Sequence, residues 1–132
     1  MVQNEFFVLI IDDNPDHIEL IKEFTEGVNS KLGSLRFKGF TDEYEGIEFF
    51  KENHSNIGSV LLDFTLPKLN GIKVLKILRD FNGIVPIIGL TGHSKDAFKG
   101  QGNSISEQFI KAGAVGYISK TTENFMKGSK LL

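Results

Sequence analysis

Acidic side chains follow two apolar segments of this sequence, and a hydroxyl and an ammonium group follow two others. Asp12 and Asp13 come directly after one segment, and Asp63 comes directly after another. Thr91 follows a third segment, and Lys120 lies shortly after a fourth. Carboxylates, a hydroxyl and an ammonium group at one place are suited to phosphoryl transfer with a carboxylate as nucleophile, or to phosphate binding without covalent chemistry.

Three carboxylates held close together repel one another at neutral pH and favour the binding of a cation. The chain has no cysteine, and no histidine stands near these acids in a ligand pattern. Ligand sets made only of oxygen favour a hard ion, so we expect Mg²⁺ before Ca²⁺, with Mn²⁺ as a substitute. A nearby lysine suits a phosphoryl group as a point charge.

The apolar segments that precede these residues are continuous, which is typical of strands buried on both faces of a sheet. They are Phe6–Ile11, Ser59–Leu62, Val85–Leu90 and Val115–Ile118, with Leu35–Phe40 as a fifth, weaker candidate. Between and after these strands we predict helices, at Pro15–Leu32, Glu43–Asn53, Gly71–Phe81, Ser104–Ala112 and Thr122–Leu131. Alternation of strand and helix predicts an α/β fold with a doubly wound parallel sheet and helices on both faces. Ligands of such sheets bind beyond the carboxyl ends of the strands, where the polar residues stand.

Composition excludes several other classes of protein. With 132 residues the chain fits one domain, 1–132, either free-standing or excised from a longer protein. A net charge of −2 with interspersed signs does not suit nucleic-acid binding, and the absence of cysteine excludes disulfides. We predict neither a membrane span nor a signal peptide and therefore expect a cytoplasmic protein.

Four motifs in order resemble the receiver domain of two-component response regulators, a family that includes the bacterial chemotaxis regulator. The motifs lie at Val8–Asp13, Val60–Gly71, Pro86–Thr91 and Ala112–Lys120, and the resemblance extends over nearly the whole chain. The resemblance implies a five-stranded flavodoxin-like sheet with the strand order 2-1-3-4-5. It also implies a phosphorylation switch with a histidine kinase or histidine phosphotransfer protein as donor, and a separate downstream protein partner.

The resemblance implies a role for each matching residue. Asp63 would be the phosphoacceptor, and Asp13, Asp63 and the backbone carbonyl of Thr65 would bind Mg²⁺ directly. Asp12 would act through a metal-bound water. In the same way, Lys120 would contact the phosphoryl oxygens.

Two further residues would carry the switch: Thr91 would bond the phosphoryl group, and Tyr117 would turn inward as Thr91 moves. Such a receiver catalyses its own phosphorylation and dephosphorylation without being a conventional turnover enzyme.

Some positions depart from the family pattern. Thr121 stands where a proline usually follows the lysine, and the segment 93–103 is longer than expected. Thr65 and His93 occupy positions at which family members tune the lifetime of the acyl phosphate. His17 and His54 lie on predicted helices, where we expect solvated side chains.

Two other classes of function are open. A pseudo-receiver would keep the fold but act as a phosphorylation-independent protein-binding module. The missing proline and the long segment favour it, whereas the complete set of acids, Thr91 and Lys120 opposes it. A flavodoxin-like cofactor binder or a phosphatase of the haloacid-dehalogenase kind is the other class. That phosphatase needs a second Asp where Thr65 stands. Against the cofactor binder, the two acids after the first strand would repel a phosphate that lacks a metal.

Overall fold

A computed structural model describes residues 6–32, 35–91 and 105–119 of the chain. Five parallel strands form one sheet in the order β2-β1-β3-β4-β5. The strands are β1 (Phe6–Ile11), β2 (Leu35–Phe40), β3 (Ile57–Asp63), β4 (Ile87–Thr91) and β5 (Gly116–Ser119). The helices are α1 (Pro15–Leu32), α2 (Glu43–Asn53), α3 (Gly71–Phe81) and α4 (Ile105–Ala112), and a short 3₁₀ turn, His54–Asn56, follows α2. The predicted fold class and strand order are confirmed.

Three helices begin with a capping side chain. Asn14 accepts a hydrogen bond from the backbone N–H of Asp16 at the start of α1, 2.9 Å away. Asp42 accepts one from Glu45 N–H at 3.1 Å, and Asn70 accepts one from Lys73 N–H at 2.9 Å. Each side chain thereby satisfies a backbone donor that the first helical turn leaves open.

Strand boundaries differ from the prediction in three places. The strand predicted at Ser59–Leu62 is longer at both ends, and the one predicted at Val85–Leu90 begins two residues later. Its second residue, Pro86, has no N–H to donate to a neighbouring strand, although its carbonyl accepts from Val60 N–H at 2.9 Å. The fifth strand is displaced by one residue. The predicted helix Thr122–Leu131 lies outside the described residues.

Side chains of the sheet alternate between two hydrophobic cores, one on each face. Leu9 and Ile11 of β1 point to the core shared with α2, α3 and α4. Val8 and Ile10 point to the opposite core, which α1 covers with Ile18 and other residues. Burial on both faces explains why these strands are apolar without interruption. None of the helices in the described part of the chain is long and apolar enough to cross a membrane.

Arg79 of α3 ties together the segments that lead into β4 and β5. Its guanidinium donates to the carbonyl oxygens of Val85 at 2.7 Å and Gly113 at 2.7 Å, with a longer bond to Asn82. Burial lowers the pKa of this guanidinium below its ordinary value. Gly113 has a φ of +115°, a conformation that L side chains rarely adopt, so glycine suits this turn.

Candidate functional site

Strand register brings the polar strand ends to one edge of the sheet. Ile11 pairs with Leu62, so Asp12 and Asp63 follow neighbouring positions of β1 and β3. Asp63 pairs with Leu90 of β4, which places Thr91 one residue further along the next strand. The carboxyl ends of these three strands therefore carry the predicted site residues side by side.

Asp12 is fully buried at the end of β1, and contacts with β2 and α1 hold it in place. Its backbone N–H donates to Phe40 O at 3.1 Å, which continues the β1–β2 pairing past the last strand residue. Its Oδ1 accepts from Asn14 N–H at 2.9 Å, and its Oδ2 lies 3.3 Å from Nδ1 of His17. The carboxylate is thus oriented by the first turn of α1 as well as by the sheet.

Asp63 ends β3 and is also buried, with 2% of its surface exposed. The next residue, Phe64, donates its N–H to Leu90 O at 3.0 Å and accepts from Gly71 N–H at 2.7 Å. Gly71 packs so closely here that a Cβ would overlap the carbonyl oxygen of Asp63 and lie 2.7 Å from Phe64 Cα. A glycine at the start of α3 is therefore required to close the loop after Asp63.

Asp12, Asp13 and Asp63 form a compact group, here called the acid cluster. One carboxylate oxygen from each residue lies within 4.8 Å of the others. Asp12 and Asp63 are buried, whereas Asp13 is exposed. Like charges at this spacing repel, and burial strengthens the repulsion because water screens it less. The donor set is all oxygen and partly open to solvent, which fits a Mg²⁺ ion that keeps some of its waters.

Of the other predicted site residues, the structure describes Thr91, Tyr117 and Thr65. Thr91 is buried at the end of β4, whereas Tyr117 on β5 is about half exposed, at 49%. Thr65 is exposed in the loop after Asp63. Lys120 and His93 lie outside the described residues, so their predicted roles stay predictions.

Two residues near the site were not predicted from the sequence. His17 was expected to be solvated, but it contacts Asp12 from the first turn of α1, and its side chain is 31% exposed. Away from the site, His54 is partly buried: its Nδ1 lies 3.1 Å from Asn82 Nδ2, and its ring stacks on Phe50. His17 Nε2 also lies 3.4 Å from Asn14 Nδ2, and the spacing of these two residues, about one helical turn, is a weak sequence signal for that contact.

Glu43, the first residue of α2, is the second unpredicted residue. It is fully buried, and its Oε2 accepts from the backbone N–H groups of Lys68 at 2.8 Å and Leu69 at 2.7 Å. Beside it, Asp42 and the Lys68 ammonium form a short ion pair at the surface. The hydrogen bond from Lys68, helped by one from Glu45 N–H, holds the pKa of Asp42 below its ordinary value. The same bond raises the pKa of Lys68.

Comparison with known proteins identifies the family. A model of the response regulator receiver domain matches residues 8–126 of this chain. The chain belongs to the receiver domain family. The resemblance drawn from the four sequence motifs is therefore confirmed.

Curated relatives include proteins of different lengths. The polar-differentiation response regulator DivK of Brucella ovis is 28% identical over 115 residues, which are 86% of this chain and 82% of DivK. The phosphoglycerate transport system transcriptional regulatory protein PgtA of Salmonella typhimurium is 29% identical over 93 residues. These are 70% of this chain but only 21% of PgtA, so the receiver corresponds to about a fifth of that relative.

Solved receiver structures share the fold over nearly the whole chain. A receiver domain from Clostridium thermocellum has a TM-score of 0.70 and 26% identity, with coverage of 96% of this chain and 98% of that chain. The receiver domain of the Francisella response regulator 1452 has a TM-score of 0.72 and 22% identity, with coverage of 96% and 95%. Both likenesses agree with the strand order described above.

Proposed function

We propose that this chain is a phosphorylation-dependent signalling switch in which Asp63 accepts a phosphoryl group in a Mg²⁺-dependent reaction. The donor would be a histidine kinase or a histidine phosphotransfer protein, and the output would pass to a separate downstream protein. The observation that supports this most is the acid cluster, in which two buried carboxylates and one exposed carboxylate lie within 4.8 Å of one another. Family membership supports it independently.

In the proposed reaction, a carboxylate oxygen of Asp63 attacks the phosphorus of a phosphorylated imidazole on the donor. The Asp63 O–P bond forms, the N–P bond of the donor breaks, and the released imidazole nitrogen takes up a proton from water. Burial fixes Asp63 in one orientation, which lowers the entropic barrier to in-line attack. Hydrolysis would reverse the modification, as water attacks the phosphorus and Asp63 leaves as a carboxylate.

Asp13, Asp63 and the Thr65 carbonyl would hold Mg²⁺, and Asp12 would act through a bound water. The ion would neutralise charge on the cluster and on the phosphoryl oxygens. Thr91 would donate its hydroxyl to a phosphoryl oxygen, and Lys120 would contribute a positive charge. Tyr117 would follow Thr91 inward, and Thr65 and His93 would tune the lifetime of the acyl phosphate. The cytoplasmic location and the single domain 1–132 also stay predictions.

The proposal is tested by the intact mass of the protein before and after incubation with acetyl phosphate and Mg²⁺. We expect one phosphoryl adduct on the wild type, none on Asp63→Asn, and none when EDTA removes the metal. Asp80→Asn, which changes an exposed acid of α3, is the matched control and should be phosphorylated like the wild type.

Samples are quenched within seconds so that a short-lived adduct is also detected. Absence of the adduct from the wild type in these samples would refute phosphorylation and leave a receiver fold that binds partners without it. An adduct on Asp63→Asn equal to that on the wild type would place the acceptor elsewhere.

A further inference from the structure

The loop between β3 and α3 carries part of the proposed Mg²⁺ site. It runs from Phe64 to Asn70, begins directly after Asp63 and contains Thr65. Its base is closed by the hydrogen bonds of Phe64 to Leu90 and Gly71. These bonds do not involve the outer bend, at Lys68 and Leu69, where the Leu69 side chain packs against the hydrophobic core.

Glu43 holds the backbone of this bend from a different part of the chain. Its carboxylate oxygen Oε2 receives the two consecutive amide hydrogens of Lys68 and Leu69, although 25 positions separate Glu43 from Lys68. Hydrogen bonds to an ionised acceptor are about twice as strong as those between neutral groups. Two of them on one oxygen hold the bend against the N-terminus of α2.

The second carboxylate oxygen of Glu43 reduces the stability that the residue gives to the fold, so stabilising the loop is not a sufficient explanation for a glutamate at this position. Oε1 is buried and has no hydrogen-bond partner among the described residues. A buried polar atom without a partner destabilises a fold by roughly 1–3 kcal/mol. The loop has exposed residues at Lys68 and Asn70, so water could satisfy its amides if the loop shape were unimportant.

We propose that Glu43 is a positioning residue for the metal site: by holding the amides of Lys68 and Leu69, it fixes the loop that follows Asp63 and sets the Mg²⁺ affinity. This inference rests on the proposed Mg²⁺ site. Mg²⁺ tolerates little deviation from octahedral geometry, so a loop free to shift would present its ligands less often in the required arrangement. Outer residues that orient ligands typically change metal affinity by about 10–100-fold.

The test compares Glu43→Gln with two controls in the full chain. Glutamine has the shape of glutamate but no charge. Glu45→Gln makes the same change at an exposed position on the same helix. Ile57→Val trims a buried residue at the opposite end of β3 from Asp63 and serves as a control for general loss of stability. Each protein is measured by calorimetric titration with MgCl₂, by amide hydrogen exchange without metal, and by thermal unfolding.

We expect Glu43→Gln to weaken Mg²⁺ binding by about tenfold and to speed exchange of the Lys68 and Leu69 amides. Both controls should bind Mg²⁺ within about twofold of the wild type. If Glu43→Gln and Ile57→Val lose similar thermal stability and both keep wild-type Mg²⁺ affinity, Glu43 is structural only and the inference is wrong.

A measurement on the wild type alone covers the case in which Glu43→Gln does not fold. Coupling between two sites is reciprocal, so a loop that raises Mg²⁺ affinity must itself be stabilised by Mg²⁺. Saturating MgCl₂ should therefore slow exchange of the Lys68 and Leu69 amides by several-fold. The amide of Asn82, which donates to Leu78 O at the end of α3, is the reference and should not respond. Equal responses at all three amides, or none, would contradict the inference.

These results are separable from those for the proposed function. A wild type that binds Mg²⁺ but takes no phosphoryl group would refute phosphorylation and leave the role of Glu43 intact. A wild type that is phosphorylated but whose Glu43→Gln variant binds Mg²⁺ normally would refute only the role of Glu43. A wild type that does not bind Mg²⁺ would refute both.

Discussion

Among the described residues, buried carboxylates occur in two regions and are stabilised in different ways. In the acid cluster, Asp12 and Asp63 lie beside a third carboxylate, so each negative charge raises the energy of the others. At Glu43, a single carboxylate accepts hydrogen bonds from two backbone N–H groups of the loop, a contact here called the loop bridge. Backbone amides can therefore compensate one buried charge, whereas three converging charges favour a cation from solution.

The largest effect is expected at Gly71, which packs on the backbone that carries Asp63 into the loop. Gly71→Ala would place a methyl group against the Asp63 carbonyl and Phe64 Cα, both of them backbone atoms that cannot swing aside. We expect the free energy of unfolding to fall by about 3 kcal/mol, measured by urea denaturation. Gly83→Ala is the control, because a Cβ there meets no atom within 4 Å. Equal effects of the two changes would contradict the close packing.

The second-largest effect is a difference in Mg²⁺ affinity between a variant of the acid cluster and a variant of the loop bridge. Asp13→Asn removes a proposed direct ligand and should weaken binding by roughly 100-fold, or about 2.7 kcal/mol, in calorimetric titration. Asp16→Asn changes an exposed acid in the first turn of α1 and should leave the affinity unchanged. The loss should exceed that of Glu43→Gln, since Glu43 acts only through the loop. The reverse order would show that the two regions have been assigned the wrong roles.

In the metal-free protein, substitutions in the two regions should change the free energy of unfolding in opposite directions. Asp13→Asn relieves repulsion within the acid cluster and should raise the free energy of unfolding by about 1 kcal/mol. Glu43→Ala removes two charge-assisted hydrogen bonds and should lower it by about 2 kcal/mol. Chemical denaturation in EDTA measures both values. If both substitutions destabilise the metal-free protein, repulsion in the cluster is already compensated by its surroundings.

The smallest effect concerns the exposed ion pair beside the loop bridge. The Lys68 bond lowers the pKa of Asp42 from 3.8, so its contribution to stability is complete above pH 3.8 and is lost as the pH falls through the folded-state pKa. For Lys68, whose pKa is raised from 10.5, the contribution is complete below pH 10.5 and is lost as the pH rises through the folded-state pKa.

The Asp42 carboxyl can be titrated by NMR in the wild type and in Lys68→Met. We expect its pKa to rise toward the ordinary value in the variant, with little change in thermal stability, because exposed ion pairs contribute little. Lys76→Met, at an exposed lysine of α3, is the control. An unchanged pKa in Lys68→Met would mean that the Glu45 N–H bond accounts for the lowered value.

Much of the fold could be predicted because it depends on local patterns. Continuous apolar strands, caps at Asn14, Asp42 and Asn70, and Pro15 at the first helical position are all readable along the chain. The bounds of β1, β2, α1, α2 and α3 were predicted without error. Boundaries were less accurate where a strand end depends on pairing with a neighbour, as at Ile57 and Ile87.

The positions of Asp12, Asp63 and Thr91 along the chain suffice to predict that they lie together, because parallel strands joined by helices present their carboxyl ends at one edge. The strand order came from the resemblance to the family. The contact of His17 with Asp12 and the hold of Glu43 on the loop are visible only in the folded structure. The contacts of Glu43 depend on the path of a loop 25 positions further along the chain. In the sequence, Glu43 cannot be distinguished from an ordinary acidic residue in the first turn of a helix. Such long-range bonds to backbone amides leave no periodic pattern in a sequence, since they arise only once the strands and helices have packed.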